Sequence, residues 1–353
     1  MATEKKTTLL ETLEKNESGL QSPVFRSACA DAEIIIKGTT KGDKAPCYQL
    51  IGYDEAQNEI LIFEKTFTVN ENGSFTYVHG FDPVSLAVYQ NARSFRARIS
   101  APEKDNPYTL TKFELIEIGQ NSADMGKEQK VRKKRGPHPL RKVLFVGNSI
   151  LLGIENRYGM CASSPKNDYY HYVSEAIKKA YPDCEFFKLH GSGMEHSESV
   201  EEFEDVFYKR PNGYTGRPVV DSFTPDLDLI ILQITDNVNT EKKQEAFHHT
   251  SELLLSRIRE RCPNAVILWV YGWYYKRPIQ ARLVEVCNRY DVEMVDIRPL
   301  RFKANEAEAG ARYESIDGTK KEANELWLTH PGDKGMAAIA DQIISVLKET
   351  ELL

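Results

Sequence analysis

The stretch KVLFVGNSILLG, residues 142–153, decides the fold of the second half of the chain. Its four consecutive apolar residues, 143–146, predict a short strand that is buried on both faces. Gly147, Asn148 and Ser149 then predict a tight turn that opens towards a helix. At the carboxyl edge of a parallel sheet, a serine in such a turn can act as a nucleophile beside backbone N–H groups that bind an oxyanion. On this stretch alone, a serine that only caps the helix is an equal alternative.

Strands and helices alternate from Arg141 to the end of the chain. The apolar strand candidates are VLFVG (143–147), CEFFKLH (184–190), LDLIILQIT (227–235), AVILWVYG (265–272) and VEMVDI (292–297). Segments with helical periodicity lie at about 168–180, 199–208, 241–261, 278–290 and 333–348. This order predicts an α/β fold, a doubly wound five-stranded parallel sheet with helices on both faces. Function in such a sheet is expected at the carboxyl ends of the strands.

The first part of the chain has a different pattern. Residues 1–22 are polar and rich in Glu, Lys and Thr, which predicts a loose arm or a short docking helix. Residues 23–118 contain short β-type runs, among them SLAVYQN (85–91), and predict an antiparallel, jelly-roll-type β-sandwich of seven or eight strands. Residues 119–140 contain Gly, Pro and a Lys/Arg run, which predicts a solvated basic linker. The predicted C-terminal domain spans residues 141–353.

Composition and charge limit the partners and cofactors that we expect. The 353-residue chain has a formal net charge of -6 and no apolar run long enough to span a bilayer, which argues against nucleic acid or a membrane as its main partner. Its six cysteines are scattered without Cys-x-x-Cys spacing, and we predict neither a metal nor a cofactor. The beginning of the chain lacks a secretory signal pattern, so we expect a cytoplasmic protein. The sequence leaves open whether the chain forms a homo-oligomer.

The predicted strand ends collect the groups that acyl transfer needs. Ser149 follows the first strand, Gly191 and Gly193 follow the second, Asn237 follows the third, and His330 lies in the loop before the last helix. A nucleophilic hydroxyl needs a base, and the anion that forms when it attacks a carbonyl needs fixed donors. Each residue also has a structural alternative: the glycines can shape a turn, the asparagine can cap a helix, and a lone histidine is more often structural than catalytic.

These four blocks resemble the SGNH, or GDSL-type, hydrolase superfamily, which is named after its Ser, Gly, Asn and His. GNSI has Asn148 in the place of the usual aspartate, and TDN has Thr235 in the place of the glycine of Gly-x-Asn. WLTHP keeps the His-Pro pair of Asp-x-x-His-Pro and has Trp327 at the aspartate position. The resemblance covers roughly residues 141–350.

The resemblance implies a serine hydrolase. Ser149 is the implied nucleophile and His330 its general base. The oxyanion is expected to accept hydrogen bonds from the Ser149 N–H, the Gly193 N–H and the Asn237 side chain, with Gly193 chosen over Gly191 by the spacing of its block.

The third member of a catalytic triad is missing from this pattern. Trp327 stands where the family has its aspartate, and we assign the role to neither of the nearby acids, Glu325 and Asp333. Some members of the superfamily use a Ser-His dyad in which a backbone carbonyl holds the imidazole, and the resemblance therefore implies a dyad of Ser149 and His330.

Three aromatic residues are candidates for substrate contact: Trp273 after the fourth strand, Tyr158 after the nucleophile, and Trp327. Core packing is an equal alternative for Tyr158. A β-sandwich followed by an SGNH module resembles the layout of carbohydrate esterases, above all the second family, which implies an O-acetylesterase acting on acetylated oligosaccharides or polysaccharides. The alternatives are a carbohydrate-binding protein with a decayed hydrolase module, and a short-chain lipid or thioester hydrolase or an acyltransferase.

Overall fold

The chain divides into two compact units, Met1–Val131 and Arg132–Leu353. The computed structural model describes residues 4–16, 19–27, 29–41, 45–81, 83, 91–100, 108–121, 132–135 and 139–353. The division falls inside the predicted linker. Most of that linker, and the predicted strand SLAVYQN apart from Asn91, lie outside the described residues.

The N-terminal unit is a sandwich of two antiparallel sheets. In one sheet the order is β1 (Glu4–Thr8), β9 (Tyr108–Asn121), β4 (Cys29–Thr40) and β7 (Ser74–Phe81). In the other it is β2 (Glu14–Asn16), β3 (Gly19–Gln21), β8 (Ser94–Ser100), β5 (Cys47–Tyr53) and β6 (Glu59–Thr66). Alternate residues of both sheets, such as Ile34 and Ile36 or Tyr48 and Leu50, share one buried core. The predicted β-sandwich is confirmed.

The segment before the sandwich differs from its prediction. Instead of a loose arm or a docking helix, its described residues form β1, β2 and β3, with a 3₁₀ turn at Leu10–Thr12 between β1 and β2, and Leu9 packs into the sandwich core. A polar segment can add to the edge of a sheet because the pairing satisfies its backbone without needing a continuous apolar face. Its sequence therefore lacks the alternation by which strands are recognised.

The C-terminal unit contains the predicted parallel sheet. Its strands are β10 (Lys142–Gly147), β11 (Glu185–His190), β12 (Leu229–Gln233), β13 (Val266–Tyr271) and β14 (Glu293–Asp296), in the order β11-β10-β12-β13-β14. Every neighbouring pair is parallel. Because β10 lies between β11 and β12, the winding reverses at its carboxyl end, where such sheets form a crevice.

The helices cover both faces of this sheet. They are α1 (Tyr169–Ala180), α2 (Ser192–His196), α3 (Val200–Tyr208), α4 (Glu241–Arg261), α5 (Arg277–Arg289) and α6 (Asp333–Glu349). Val143 and Phe145 pack with α1 and α6 in one core, and Leu144 and Val146 pack with α2 to α5 in the other. Burial on both faces of the sheet explains why residues 143–146 of β10 are all apolar. None of the helices in the described residues is long and apolar enough to cross a bilayer.

Part of the predicted basic linker packs on the C-terminal unit. Arg132 contacts Glu293 at 3.4 Å and Glu349 at 2.7 Å, and Arg135 contacts Asp291 at 2.7 Å and Glu293 at 3.3 Å. The side chains of Arg132 and Arg135 are only 23% and 13% exposed to solvent. These two cations are therefore paired and packed, in contrast to the solvated run that the composition predicts.

Candidate active site

Ser149 and His330 meet at the carboxyl edge of the parallel sheet. Ser149 lies in the turn after β10, and His330 lies in the loop before α6. Although 181 positions separate them in the chain, Oγ of Ser149 lies 3.0 Å from Nε2 of His330. The first α-helix after Ser149 begins only at Tyr169, so the serine caps no helix, and the expected helix at this turn is absent. The pair has the contact that a nucleophile and its base require.

A backbone carbonyl holds the other side of the imidazole. Nδ1 of His330 donates to the carbonyl of Trp327 at 3.1 Å, within the turn that follows the 3₁₀ helix Glu325–Trp327. Because a carbonyl can only accept, this bond keeps the proton on Nδ1 and turns the Nε2 lone pair towards Ser149. Asp333 is engaged elsewhere and accepts from the backbone N–H and the hydroxyl of Ser163 at 2.8 and 2.7 Å. The main chain of Trp327 thus occupies the place of the missing carboxylate.

The surroundings keep His330 uncharged. Loss of hydration lowers the pKa of His330 to about 4, and the Arg301 guanidinium acts in the same direction. The Trp327 carbonyl and the Asp236 carboxylate act in the opposite direction but are weaker than the loss of hydration. At neutral pH the imidazole is therefore in the form that can accept a proton.

Tyr274 is a further neighbour of the imidazole. Its hydroxyl lies 3.1 Å from Nδ1 of His330 and 3.0 Å from Oγ1 of Thr329, and the Arg301 guanidinium lies 4.5 Å from the centre of its ring. Burial raises the pKa of the Tyr274 phenol well above its usual value, so the phenol stays protonated. The aromatic run after β13 signals that an aromatic residue reaches this site, but the spacing does not tell which one.

Trp273 and Tyr158 are buried, contrary to the prediction that they contact substrate. Trp273 is 0% exposed, and its indole Nε1 donates to the carbonyl of Thr329 at 2.9 Å. Tyr158 is 4% exposed, and its hydroxyl accepts from the backbone N–H of Glu314 at 2.7 Å. Large aromatic side chains are stabilised most when they leave water, and here both support loops around the site. Trp327 keeps partial exposure, with its ring 5.8 Å from that of Tyr313, and its substrate contact stays a prediction.

The two glycines after β11 have different backbone roles. The N–H of Gly191 donates to the carbonyl of Gly147 at 2.5 Å, so it is used within the fold. Gly193 is exposed and lies in the first turn of α2, where backbone N–H groups have no acceptor within the helix. Of the two, Gly193 is the one that can donate to a ligand, in agreement with the spacing of its block.

A network of buried polar side chains lies behind the predicted oxyanion donors. Nδ2 of Asn148 donates to Oε1 of Glu195 and to Oδ2 of Asp236, both at 3.0 Å, and its Oδ1 accepts from the Ile150 N–H at 3.0 Å. Asn148 is 0% exposed. An amide can donate to two carboxylates, whereas an aspartate at this position would be a third carboxylate in the same place. This arrangement explains why asparagine replaces the usual aspartate.

Asn237 and Thr235 belong to the same network. Nδ2 of Asn237 donates to Oε2 of Glu195 at 2.7 Å, while Thr240 caps α4, so the helix-cap alternative for Asn237 is ruled out. Thr235 donates its backbone N–H to Oε1 of Glu195 and has a φ of 152°, a value that favours glycine. Threonine thus holds the conformation for which the family pattern has glycine.

Glu195 and Asp236 are the members of the site that sequence reasoning missed. Both are acids in loops or short helices at strand ends, inside the HGSGMEHS and ITDN blocks, but neither stands at a position that the family pattern marks. Glu195 lies two positions after Gly193 and Asp236 directly before Asn237, and an acid this close to a marked residue is the signal that would have pointed to them.

The comparisons with known proteins concern whole structures. No family model matches the chain, and no curated protein matches it. Among solved structures, it is similar to a family two carbohydrate esterase from Cellvibrio japonicus, with 13% identity, a TM-score of 0.37 and 99% of both chains covered. It is also similar to the acetyl xylan esterase Est2A from Butyrivibrio proteoclasticus, with 16% identity, a TM-score of 0.38 and coverage of 99% of this chain and 98% of that one.

A putative GDSL-like lipase from Bacteroides ovatus covers a smaller part of the chain. It has 15% identity, a TM-score of 0.33 and coverage of 60% of this chain and 100% of its own. The chain thus resembles carbohydrate esterases over its full length and a GDSL-like lipase over part of it.

Proposed function

We propose that the protein is a serine esterase that removes O-acetyl groups from acetylated oligosaccharides or polysaccharides. One observation carries the proposal: Oγ of Ser149 lies 3.0 Å from Nε2 of an uncharged His330 whose Nδ1 is held by the Trp327 carbonyl. This is the arrangement that turns a weakly nucleophilic hydroxyl into an attacking group. Ser149 and His330 are also both partly exposed, so a substrate can reach them.

The reaction proceeds in two halves. Oγ of Ser149 attacks the acetyl carbonyl while Nε2 of His330 takes its proton, and the bond to the Trp327 carbonyl stabilises the resulting imidazolium. The oxyanion accepts from the N–H groups of Ser149 and Gly193 and from Nδ2 of Asn237. Nε2 then gives its proton to the sugar oxygen, which leaves as an alcohol, and water repeats the same steps on the acetyl-serine.

The substrate class rests on sequence features. The amino-acid sequence contains no extended apolar stretch of the kind that forms a lid over a long acyl chain, and the order of a sandwich before an SGNH-like module resembles that of carbohydrate esterases. The alternative of a decayed hydrolase module was motivated by departures from the family pattern at Asn148, Thr235 and Trp327. Each of these residues makes a hydrogen bond within the site, which argues against decay. The cytoplasmic location and the lack of nucleic-acid and membrane partners stay predictions.

A second candidate is a hydrolase of short-chain lipid or thioester substrates. Two apolar side chains close in sequence to the dyad are unusually exposed: Ile154 at 68%, on a loop, and Leu326 at 82%, in the 3₁₀ helix Glu325–Trp327. Ile316 is 60% exposed, and its N–H donates to the carbonyl of Glu155. Exposed apolar groups this close in sequence to the dyad favour a ligand with an apolar part.

The experiment measures acetate release from acetylated xylan and mannan oligosaccharides by wild type and by S149A, with S345A on the exposed face of α6 as the matched control. We expect S149A to lose at least about 10³-fold in kcat and S345A to keep wild-type activity. A preference for longer p-nitrophenyl esters over the acetate would favour the second candidate. Glycan binding by a wild type that hydrolyses neither acetylated glycans nor p-nitrophenyl acetate would support the decayed module and overturn the proposal.

A further inference from the structure

Glu195 is a buried carboxylate that the proposed reaction leaves without a role. It is 2% exposed and lies on α2, two positions after Gly193. Its two oxygens accept from the Thr235 N–H, from Nδ2 of Asn148 at 3.0 Å and from Nδ2 of Asn237 at 2.7 Å. It therefore touches the segments that follow β10 and β12 while lying on the segment that follows β11.

The contact with Asn237 determines which end of the amide faces outward. The two ends of an asparagine amide have nearly the same size, but one end donates and the other accepts. An ionised carboxylate only accepts, so it binds one N–H of Nδ2 and repels Oδ1. Because the amide is planar, the second N–H of Nδ2 then points away from Glu195. The reversed amide would place Oδ1 against the carboxylate.

The charges around Glu195 oppose one another. The amide and N–H donors of Asn237, Thr235 and Asn148 favour the carboxylate, whereas burial and the nearby Asp236 carboxylate raise the pKa of Glu195 to about 7. Other groups that face this region are Lys276, whose Nζ donates to the Asp236 carbonyl at 2.9 Å, and His196, the next residue on α2. His196 lies 3.3 Å from Nζ of Lys243 on α4.

We propose that Glu195 is a positioning residue for the oxyanion site: it orients the Asn237 amide so that Nδ2 donates to the anion. The inference rests on the proposed esterase reaction, in which Asn237 is one of the three donors. Glu195 itself does not touch the substrate. Its effect is thus expected on the chemical step, through Asn237, and not on substrate binding.

The variant E195Q keeps the size of the side chain and replaces one acceptor by a donor. The new NH₂ group favours the reversed Asn237 amide, which presents Oδ1 to the oxyanion. We expect kcat for p-nitrophenyl acetate to fall by about 10²- to 10³-fold, the effect of losing one oxyanion donor. KM is expected to stay within about twofold, since the contact matters only in the transition state. The matched control E198Q, on an exposed acid just after α2, is expected to keep wild-type kcat.

A double-mutant cycle separates positioning from a merely structural role. N237A is expected to lose about as much as E195Q, and the double variant is expected to lose no more than either one, because both changes remove the same donor. Losses that add in the double variant, or an E195Q kcat within about twofold of wild type, would overturn the inference. Loss of activity in S149A together with an active E195Q would leave the esterase proposal intact and remove only the role of Glu195.

If circular dichroism shows that E195Q does not reach the native fold, the dependence of kcat on pH in wild type and in N237A tests whether Glu195 orients the Asn237 amide. Glu195 must be ionised to hold Asn237, so kcat of wild type is expected to fall as the pH drops through the raised pKa of Glu195. This step should be absent from N237A, in which Glu195 has no amide to orient. The same step in both proteins, or no such step in wild type, would overturn the inference.

Discussion

His330 and Asn237 have different roles in the proposed reaction, as base and as oxyanion donor, and are held in different ways. A main-chain carbonyl holds His330, so the side chain at position 327 can change while the contact remains. The buried carboxylate of Glu195 holds Asn237, and that carboxylate also binds Asn148 and Thr235. A departure from the family pattern is therefore tolerated for one reason at Trp327 and for another at Asn148 and Thr235. On the base side, that is at His330, a backbone carbonyl takes the place of a side-chain carboxylate. On the anion side, that is at Asn237, the position of the amide depends on Glu195 and on the groups that Glu195 binds.

The largest effect is expected from removing the imidazole of His330, the proposed base. H330A leaves Ser149 without a proton acceptor, and we expect kcat for p-nitrophenyl acetate to fall by about 10⁴-fold. H248A, on the exposed face of α4, is the matched control and should keep full activity. Comparable losses in both variants would mean that His330 is not the base.

A large effect is also expected from restoring the usual aspartate on the anion side. N148D places a third carboxylate beside Glu195 and Asp236 and removes the amide that donates to both. We expect the free energy of unfolding at pH 7 to fall by about 3 kcal/mol. The pKa of the new carboxyl should be raised in the folded state, so the deficit should shrink as the pH falls.

Urea unfolding of N148D and wild type at pH 5 and pH 8 measures this effect. N148S brings no charge but also loses the amide that lowers the pKa of Glu195, so its deficit should depend on pH less steeply than that of N148D. An N148D protein as stable and active as wild type would mean that the network does not depend on an amide at this position.

A smaller effect, in the stabilising direction, is expected at Thr235. Its φ of 152° costs a residue with a β-branched side chain on the order of 1–3 kcal/mol. T235G removes that cost, and after the extra chain entropy of glycine in the unfolded state we expect a net gain of about 1 kcal/mol in the free energy of unfolding. Thermal or urea unfolding measures it, with T235A as the control that keeps the strain. A loss of stability in T235G would show that packing of the threonine side chain outweighs the strain.

The smallest effect is expected at Trp327, because its main-chain carbonyl and not its side chain holds His330. W327F keeps the carbonyl that holds His330, and we expect kcat to change by less than about threefold. KM for an acetylated oligosaccharide reports separately on the predicted substrate contact of the indole and should rise if that contact exists. A kcat loss as large as that of H330A would mean that the indole itself holds the imidazole.

Much of the C-terminal fold could be predicted from local patterns. The strands β10 to β14 and the helices α1 and α3 to α6 lie within a few residues of the predicted segments, because burial on one or two faces imposes a period on the sequence. The short helix α2 was not predicted, since five residues are too few to show a period. Residues 4–8, 14–16 and 19–21 became strands through edge pairing, for which their polar sequence has no signature.

The site was predicted in part. The family resemblance implied that Ser149 and His330 form a pair, and the structure brings them into contact. Trp273 and Tyr158 were assigned to a pocket because aromatic residues near strand ends suit one, but each found a backbone partner inside the protein. A strand-end position therefore predicts proximity to the site and does not predict which way a side chain points.

The sequence by itself determined the order of strands and helices and the sheet edge at which the polar residues gather, because these depend on local periodicity and on a topology that has few alternatives. The pairing of Ser149 with His330 was implied by the resemblance of four sequence blocks to a known superfamily. Only the tertiary structure decided what holds that pair and its neighbours. The contacts of Glu195 with Asn148 and Asn237 join residues 47 and 42 positions apart, and that of Asn148 with Asp236 joins residues 88 positions apart. No spacing rule connects such distant segments, because their approach is set by the packing of whole strands and helices.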